Sequence, residues 1–371
     1  MSRMLLALSI SFFTACGVSI DKVDSDAERD SGTEDTLGTP DTGPVDADGD
    51  GLTSDEDCDD SDASMPINDA DCDGVLTADD CDDSDTAAMS IYDDSDCNGV
   101  ANRSETEICE RWQEDRSNLA EGTWSGSVSS CNAGSVSSTG MDNALRQVNL
   151  FRWLSELPPV STSEMLNGKA QECALMMDAN NTLTHNPSSN FGCYTGDGAQ
   201  AASSSNLSPY PGVYSVELYM SDPGNETTLG HRRWILSDGL GPIGLGSTEE
   251  FSCMWVHGGS GSDSRAWTAW PPAGIVPLSI NVLGWADLEE TGWSLQSDLI
   301  NLDNATVTIT RDDGTDMPVT VTELGAYYGS RWAISMVPSG WVAQAGFVYS
   351  VEAVGDGGTI QYRVEFTDCD G

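Results

Sequence analysis

Apolar positions recur at helical spacing in the middle of the chain. Leu150, Leu154 and Leu157 line one face of a predicted helix over 142–157, and Pro158-Pro159 ends it. Another helical stretch is predicted further along the chain, over 213–220. These periodic segments predict a helical core in this part of the chain.

The second predicted helix begins at Ser161, where Ser161-x-x-Glu164 has the form of a capping box. Its apolar stripe recurs at i, i+4, i+7 and i+11, at Leu166, Ala170, Cys173 and Met177. The pattern is typical of a helix that buries one face.

From about Pro277 the period of the pattern changes to two. Val307 and Ile309 alternate with threonines, Asp313-Gly314 supplies a turn, and a Gly-rich turn over 355–358 separates two further alternating runs. Short alternating strands joined by turns predict an all-β sandwich at the C-terminus.

The N-terminus carries an apolar run after Arg3 that is too short to span a bilayer. It predicts a secretory signal peptide over residues 1–15. Phe13-Thr14-Ala15-Cys16 resembles the lipobox of bacterial lipoproteins. The resemblance implies lipidation of Cys16, a membrane anchor and, with Gly17 next, sorting to the outer membrane. The alternative is ordinary secretion, with Cys16 incidental.

The chain has a formal net charge of −46, and about half of its acidic residues lie in 21–107. A segment of this composition cannot bury an apolar core by itself. Phosphate would be repelled by so acidic a surface, which excludes nucleic acid as a partner.

Three acidic loops share the spacing of the EF-hand calcium loop, with oxygen-bearing residues at positions 1, 3 and 5, Gly at 6 and a carboxylate at 12. Calcium takes about six to eight oxygen ligands, and the Gly permits the sharp turn that returns residue 12 to residue 1. The predicted calcium ligands are Asp46, Asp48, Asp50 and Asp57 in the first loop, Asp69, Asp71, Asp73 and Asp80 in the second, and Asp94, Asp96, Asn98 and Glu105 in the third.

An internal duplication accompanies these loops. Asp57-Cys58-Asp59-Asp60-Ser61-Asp62 recurs as Asp80-Cys81-Asp82-Asp83-Ser84-Asp85. Residues 46–107 resemble thrombospondin type 3 repeats, and the resemblance implies that calcium replaces the interior that apolar side chains would form. The alternative is an acidic disordered spacer.

The chain has eleven cysteines. If Cys16 carries lipid, an even number remains, and in an exported chain this predicts five disulfides. Cys58–Cys72 and Cys81–Cys97 are candidates as nearest-neighbour pairs, but the spacing leaves the connectivity open.

Two histidines stand in informative settings, His185 in Leu183-Thr184-His185 and His231 in Gly230-His231-Arg232-Arg233-Trp234. With Asn149-x-x-Arg152, Leu157-Pro158-Pro159 and Ala170-Gln171-x-x-Ala174, the ordered set resembles the CAP superfamily (cysteine-rich secretory proteins, antigen 5, pathogenesis-related 1), in its bacterial SCP-like branch.

The resemblance implies an α-β-α sandwich with a cleft of two histidines and two acidic residues that can bind zinc. These positions fall on His185, Ser205, Asp222 and His231. Two imidazoles and one carboxylate could hold zinc with a water in the fourth position. A hydrolase would also need a base, and Ser205 stands where the acidic residue would be. Structural, hydrogen-bonded histidines are the alternative.

The predicted fold is therefore multidomain. The predicted segments are a signal peptide (1–15), a lipidated flexible tether (16–45), calcium-binding acidic repeats (46–107), a CAP-like α-β-α sandwich (108–275) and an all-β sandwich (276–371).

This organisation favours a surface-anchored bacterial lipoprotein whose calcium-ordered stalk presents a CAP-like domain for ligand binding or adhesion. The ligand would be an extracellular carbohydrate, lipid or protein. The expected cofactor is calcium, with zinc as a second candidate. The alternatives are a divergent metal-dependent hydrolase that uses the CAP cleft and a structural protein of the cell envelope.

Overall fold

A computed structural model describes residues 45–49, 51, 53, 57–58, 61, 63, 69–259, 261 and 265–369. The predicted signal peptide, Cys16 and all but the last residue of the predicted tether lie outside this part of the chain, and so does the calcium ligand Asp50. Within the described ranges no helix combines the length and apolarity that a membrane span requires.

The described chain forms helices, strands and two short 3-10 turns, at Val128–Ser130 and Leu278–Asn281. The helices are α1 (Glu105–Arg116), α2 (Ser138–Leu154), α3 (Glu164–Asn180), α4 (Gly196–Ala202), α5 (Gly212–Ser221), α6 (Gly230–Ile235) and α7 (Leu288–Thr291). The strands are β1 (Ser205–Ser208), β2 (Gly244–Ser247), β3 (Ser252–Trp255), β4 (Thr268–Trp270), β5 (Gly274–Pro277), β6 (Val282–Leu283), β7 (Ala286–Asp287), β8 (Trp293–Ser297), β9 (Thr306–Arg311), β10 (Val319–Glu323), β11 (Trp332–Pro338), β12 (Val348–Gly355) and β13 (Gly358–Thr367).

The middle of the chain is an α-β-α sandwich around an antiparallel sheet with the strand order β1-β3-β2. Successive strand side chains point to opposite faces. Cys253 and Trp255 of β3 therefore pack with α3 and α4, while Met254 packs with α2 and α5 on the other face. The predicted α-β-α layering is confirmed here.

The helices depart from the predictions at their ends. Helix α2 ends at Leu154 because Glu156 adopts a left-handed conformation, with φ of 55°. The predicted capping box is wrong: Ser163 is the N-cap of α3, and its side chain makes no cap hydrogen bond. Ser161 instead accepts a backbone hydrogen bond from Ile243, so the chain is extended where the helix was expected to begin.

The C-terminal part contains two four-stranded sheets with the orders β10-β11-β8-β4 and β5-β13-β12-β9. Their facing sides meet around Trp293 of β8, whose ring lies 5.9 Å from Tyr349 and 5.8 Å from Phe366. Strand β4 precedes residue 276 and β5 spans it, so these sheets extend back across the boundary predicted from the alternating pattern.

One hydrophobic core runs from the α-β-α sandwich into the β-sheets. Phe151 of α2 meets Trp270 of β4 edge to face at 5.7 Å. The Cys109–Cys369 disulfide ties α1 to the C-terminal end of the described chain. The two predicted globular units therefore pack as one body.

Two consecutive arginines of α6 lie at this junction, and both are at most 1% exposed. Arg232 donates to Met220 O and Ser221 O on one side and to Gly292 O, Thr291 Oγ1 and Ser294 Oγ on the other. Arg233 donates to Thr228 O, Gly325 O and Ser330. Burial lowers the pKa of each to about 10, so both remain charged at neutral pH. We call this pair the arginine junction.

Removing one guanidinium from the arginine junction should be strongly destabilising, because it leaves buried carbonyls without donors. We expect Arg232→Met to lower the free energy of unfolding by about 3–5 kcal/mol. The exposed Arg331, changed to Met, should cost less than about 1 kcal/mol. Urea denaturation followed by tryptophan fluorescence measures both, and equal losses would contradict the assignment.

Candidate functional site

A cavity of about 340 Å³ lies beside β1, the edge strand of the three-stranded sheet. It receives residues from the loop after α3, from β1 and the turn that follows it, from α5 and α6, and from the turn between β6 and β7. The lining residues are Leu183, Thr184, His185, Leu207, Ser208, Pro209, Tyr210, Leu218, Tyr219, Pro223, Gly224, Asn225, His231 and Trp285. We call it the cleft.

His185 enters the cleft from the loop after α3, which leaves the helix through a left-handed Asn181. Its Nδ1 lies 2.8 Å from the carbonyl oxygen of Ala202. A carbonyl only accepts, so Nδ1 carries the proton. In the neutral ring Nε2 is therefore the nitrogen available to a ligand.

His231 enters the cleft from the start of α6, and Asp222 binds both its ring and its backbone. Its Nδ1 lies 2.9 Å from Asp222 Oδ1, and its backbone N–H donates to Asp222 Oδ2 at 2.9 Å. Asp222 ends α5 in a left-handed conformation and is fully buried. This carboxylate therefore orients the imidazole and leaves Nε2 as the free ring nitrogen.

The two histidines predicted to share a cleft both line this cavity, whereas the other two predicted members do not. The Asp222 carboxylate is taken up by hydrogen bonds beneath His231. Besides the imidazole, it accepts from the backbone N–H of Arg232 and from the side chain of Asn225. Ser205 is buried on β1 and lies outside the lining. Neither residue lines the cavity itself, and their role at the cleft stays a prediction.

The donor set of the cleft does not match a usual zinc centre. Zinc sites in proteins have three or four protein ligands, and the described lining offers two imidazoles with no carboxylate or thiolate. If both imidazoles served as zinc ligands, the described lining would offer no carboxylate to act as a general base. The zinc expectation stays a prediction, now with a weaker set of ligands.

The cleft is uncharged and has an apolar rim. None of its described lining residues is an Asp, Glu, Lys or Arg, in a chain whose net charge is −46. Leu183, Tyr210 and Trp285 are all more than a third exposed at its edge. Trp285 was not predicted as a site residue, and the only signal for it is a large apolar side chain in a two-residue turn.

The acidic loops repeat one local geometry. In each, the position-1 carboxylate accepts the N–H of the position-6 glycine: Asp46 from Gly51, Asp69 from Gly74 and Asp94 from Gly99. The glycines have φ of 106°, 98° and 83°. Residues other than Gly rarely adopt such positive φ values.

The second loop brings its carboxylates together. Asp71, Asp73 and Asp80 have ligand atoms within 4.8 Å of one another, and so do Asp69, Asp71 and Asp83. Both oxygens of Asp71 are buried and lack a hydrogen-bond partner among the described residues. Burial, and then the charges of its acidic neighbours, raise the pKa of Asp71. Asp83 was not among the predicted calcium ligands, because it lies in the repeated Asp-Cys-Asp-Asp segment and not in a loop position.

The third loop is not assembled in this way. Glu105, its predicted position 12, lies in the first turn of α1 and accepts a hydrogen bond from Thr367 Oγ1. Asp96 lies 3.6 Å from the guanidinium of Arg265, which also pairs with Glu156. In the described chain Asp96 thus faces a guanidinium and Glu105 lies on α1, and the third calcium set stays a prediction.

Ten cysteines among the described residues form five disulfides, which confirms the predicted number and both nearest-neighbour pairs. The pairs are Cys58–Cys72, Cys81–Cys97, Cys109–Cys369, Cys131–Cys193 and Cys173–Cys253. Disulfides of this number indicate a compartment outside the reducing cytosol.

The family model of the cysteine-rich secretory protein family (CAP) matches residues 145–254. This match supports a CAP domain over that stretch, which contains both cleft histidines. The 1.5 Å crystal structure of an extracellular protein containing an SCP domain from Bacillus anthracis str. Ames is similar, with 17% sequence identity and a TM-score of 0.25. The match covers 34% of this chain and 45% of that one. No curated protein matches the chain.

The third loop should make stability depend on pH. Burial is the largest cause that raises the pKa of Asp96 to about 6; Arg265 opposes the rise and Glu156 adds to it. A carboxyl whose folded pKa is raised stabilises the fold below its ordinary pKa and loses that contribution as pH rises through 6.

Asp96→Asn should therefore gain about 1–2 kcal/mol relative to the parent protein between about pH 4 and pH 7. Denaturation in EDTA at a series of pH values measures the difference. Asp82→Asn, an exposed neighbour outside both carboxylate clusters, should run parallel to the parent protein. If Asp96→Asn runs parallel as well, Asp96 does not titrate as described.

Proposed function

We propose that this protein is an extracytoplasmic binding protein whose CAP cleft takes an uncharged ligand. An acidic segment ordered by calcium would join that domain to a lipid anchor at Cys16 in the bacterial outer membrane. The observation that carries the proposal is the cleft itself: two oriented imidazoles and an apolar rim surround an uncharged cavity in a very acidic protein.

Binding is a better account of this cleft than hydrolysis. A metal-dependent hydrolase would need a third ligand and a base beside His185 and His231. Asp222 is turned away, and Ser205 is outside the lining. Tyr219 does not replace the base, because burial raises its pKa and its hydroxyl is bonded to Asn206 O.

The calcium part of the proposal rests on the second acidic loop. Its two carboxylate clusters share Asp71, whose buried oxygens have no partner among the described residues. A divalent cation would offset the repulsion among these groups and supply that partner. The Cys58–Cys72 and Cys81–Cys97 disulfides hold the chain on either side of the clusters.

Calcium binding should depend on Asp71 more than on any neighbour. We expect dissociation constants on the order of 10⁻⁴–10⁻³ M, as in extracellular modules. Asp71→Asn should weaken binding at both clusters and Asp83→Asn at one, whereas Asp82→Asn should leave it unchanged. Calorimetric titration and protease sensitivity with and without calcium measure this. An absence of calcium-dependent heat in the parent protein would refute it.

The cleft should bind small uncharged aromatic molecules through contacts with the imidazoles of His185 and His231. With indole and p-cresol as probes in ligand-observed NMR, we expect His185→Ala and His231→Ala each to weaken binding several-fold. His257→Ala is the matched control, because the His257 ring lies against Trp234 at 4.5 Å between centroids and is not among the cleft-lining residues. If neither probe binds the parent protein, or if all three variants behave alike, the cleft is not the binding site.

A further inference from the structure

The free edge of β1 faces the cleft with unpaired backbone groups. Val256 N–H donates to Ser204 O, and the register continues with Asn206 opposite Met254 and Ser208 opposite Ser252. In an antiparallel ladder, alternate residues bond to the neighbouring strand. Leu207 therefore directs its N–H and C=O away from β3, and no strand lies on that side.

These groups have no partner in the described chain, although Leu207 is only 5% exposed. The next residue of the cleft lining, Ser208, is 3% exposed, and its Oγ also lacks a partner among the described residues. A buried peptide group without a hydrogen bond costs free energy comparable to a lost hydrogen bond. The cleft thus offers the N–H donor and C=O acceptor of one strand residue, Leu207, and the hydroxyl of the adjacent Ser208.

Another part of the cleft lining is supplied by the β6–β7 hairpin, which lies beyond the residues that match the CAP family. Gly284 N–H donates to the buried Glu217 Oε2 at 3.0 Å. A Cβ on Gly284 would meet Leu218 Cδ2 at 2.6 Å, so the turn is seated closely on α5. The next residue, Trp285, lines the cleft and is 58% exposed. The backbone at the base of Trp285 is therefore fixed on α5, while its side chain remains open to a ligand.

We propose that the cleft binds an uncharged peptide segment in extended conformation. One residue of this segment pairs with the N–H and C=O of Leu207, and a flanking apolar side chain packs on Trp285. The proposal rests on the binding role of the cleft and names its ligand class. An acyl chain has no group to pair with the Leu207 donor and acceptor, and a sterol has a single hydroxyl, whereas an extended peptide supplies an N–H and a C=O with strand spacing. The uncharged lining disfavours charged side chains on the segment.

The test uses the full chain and a pooled library of N-acetylated, C-amidated heptapeptides of uncharged residues. Peptides retained by the protein are identified by mass spectrometry, and the tightest is titrated by calorimetry. N-methylation at the residue that pairs with Leu207 should weaken binding at least tenfold. N-methylation at either neighbour should have little effect, because those N–H groups point away from β1. The Leu207 amide should become protected from hydrogen exchange.

Trp285→Ala should weaken the same peptide at least tenfold, and Trp285→Phe should restore part of the loss. Val282→Ala, on the same hairpin and exposed outside the cleft, should leave affinity unchanged. Equal tolerance of N-methylation at every position would overturn strand pairing. Binding of indole without retention of any peptide, or preferential retention of fatty acids, would overturn the ligand class while the binding role stands. If neither indole nor any peptide binds, both proposals fail.

Discussion

The arginine junction is the interaction on which the rest of the globular structure depends. Arg232 and Arg233 carry charge into a region almost without solvent, and carbonyl and hydroxyl oxygens from both parts of the chain surround them. Burying an ion is tolerable only when its donors are matched. Because the acceptors come from both the CAP domain and the β-sheets, neither part can satisfy the arginines alone.

The same segment builds the cleft. His231 precedes the two arginines, and Asp222 binds the backbone of His231 and Arg232 with one oxygen while the other orients the imidazole. Asp222, which was predicted as a member of the cleft, joins the arginine junction to the cleft. Arg232 also donates to Thr291 and Gly292, which follow shortly after the β6–β7 hairpin that carries Trp285. The stability of the junction and the geometry of the cleft thus depend on one set of contacts.

Periodicity predicted α2, α3 and α5, the alternating strands and the change of architecture, because each depends on local spacing of apolar residues. The helices α1, α4, α6 and α7 were not predicted. Periodicity also missed β4 and β5, since strands buried on both faces show no alternation. The resemblance to the CAP family predicted that His185 and His231 share a cleft. It could not predict that a left-handed turn at Asp222 would direct the carboxylate behind the ring. Trp285 and the Arg265 contact depend on tertiary packing that spacing does not encode.

The central claim is that the CAP domain and the β-sheets form one cooperative body joined by buried arginines. Scanning calorimetry of the full chain in EDTA, which removes any contribution of calcium, tests it most directly. We expect the globular part to unfold in one transition, with calorimetric and van't Hoff enthalpies that agree. Two separable transitions, one for the CAP domain and one for the sheets, would contradict the claim.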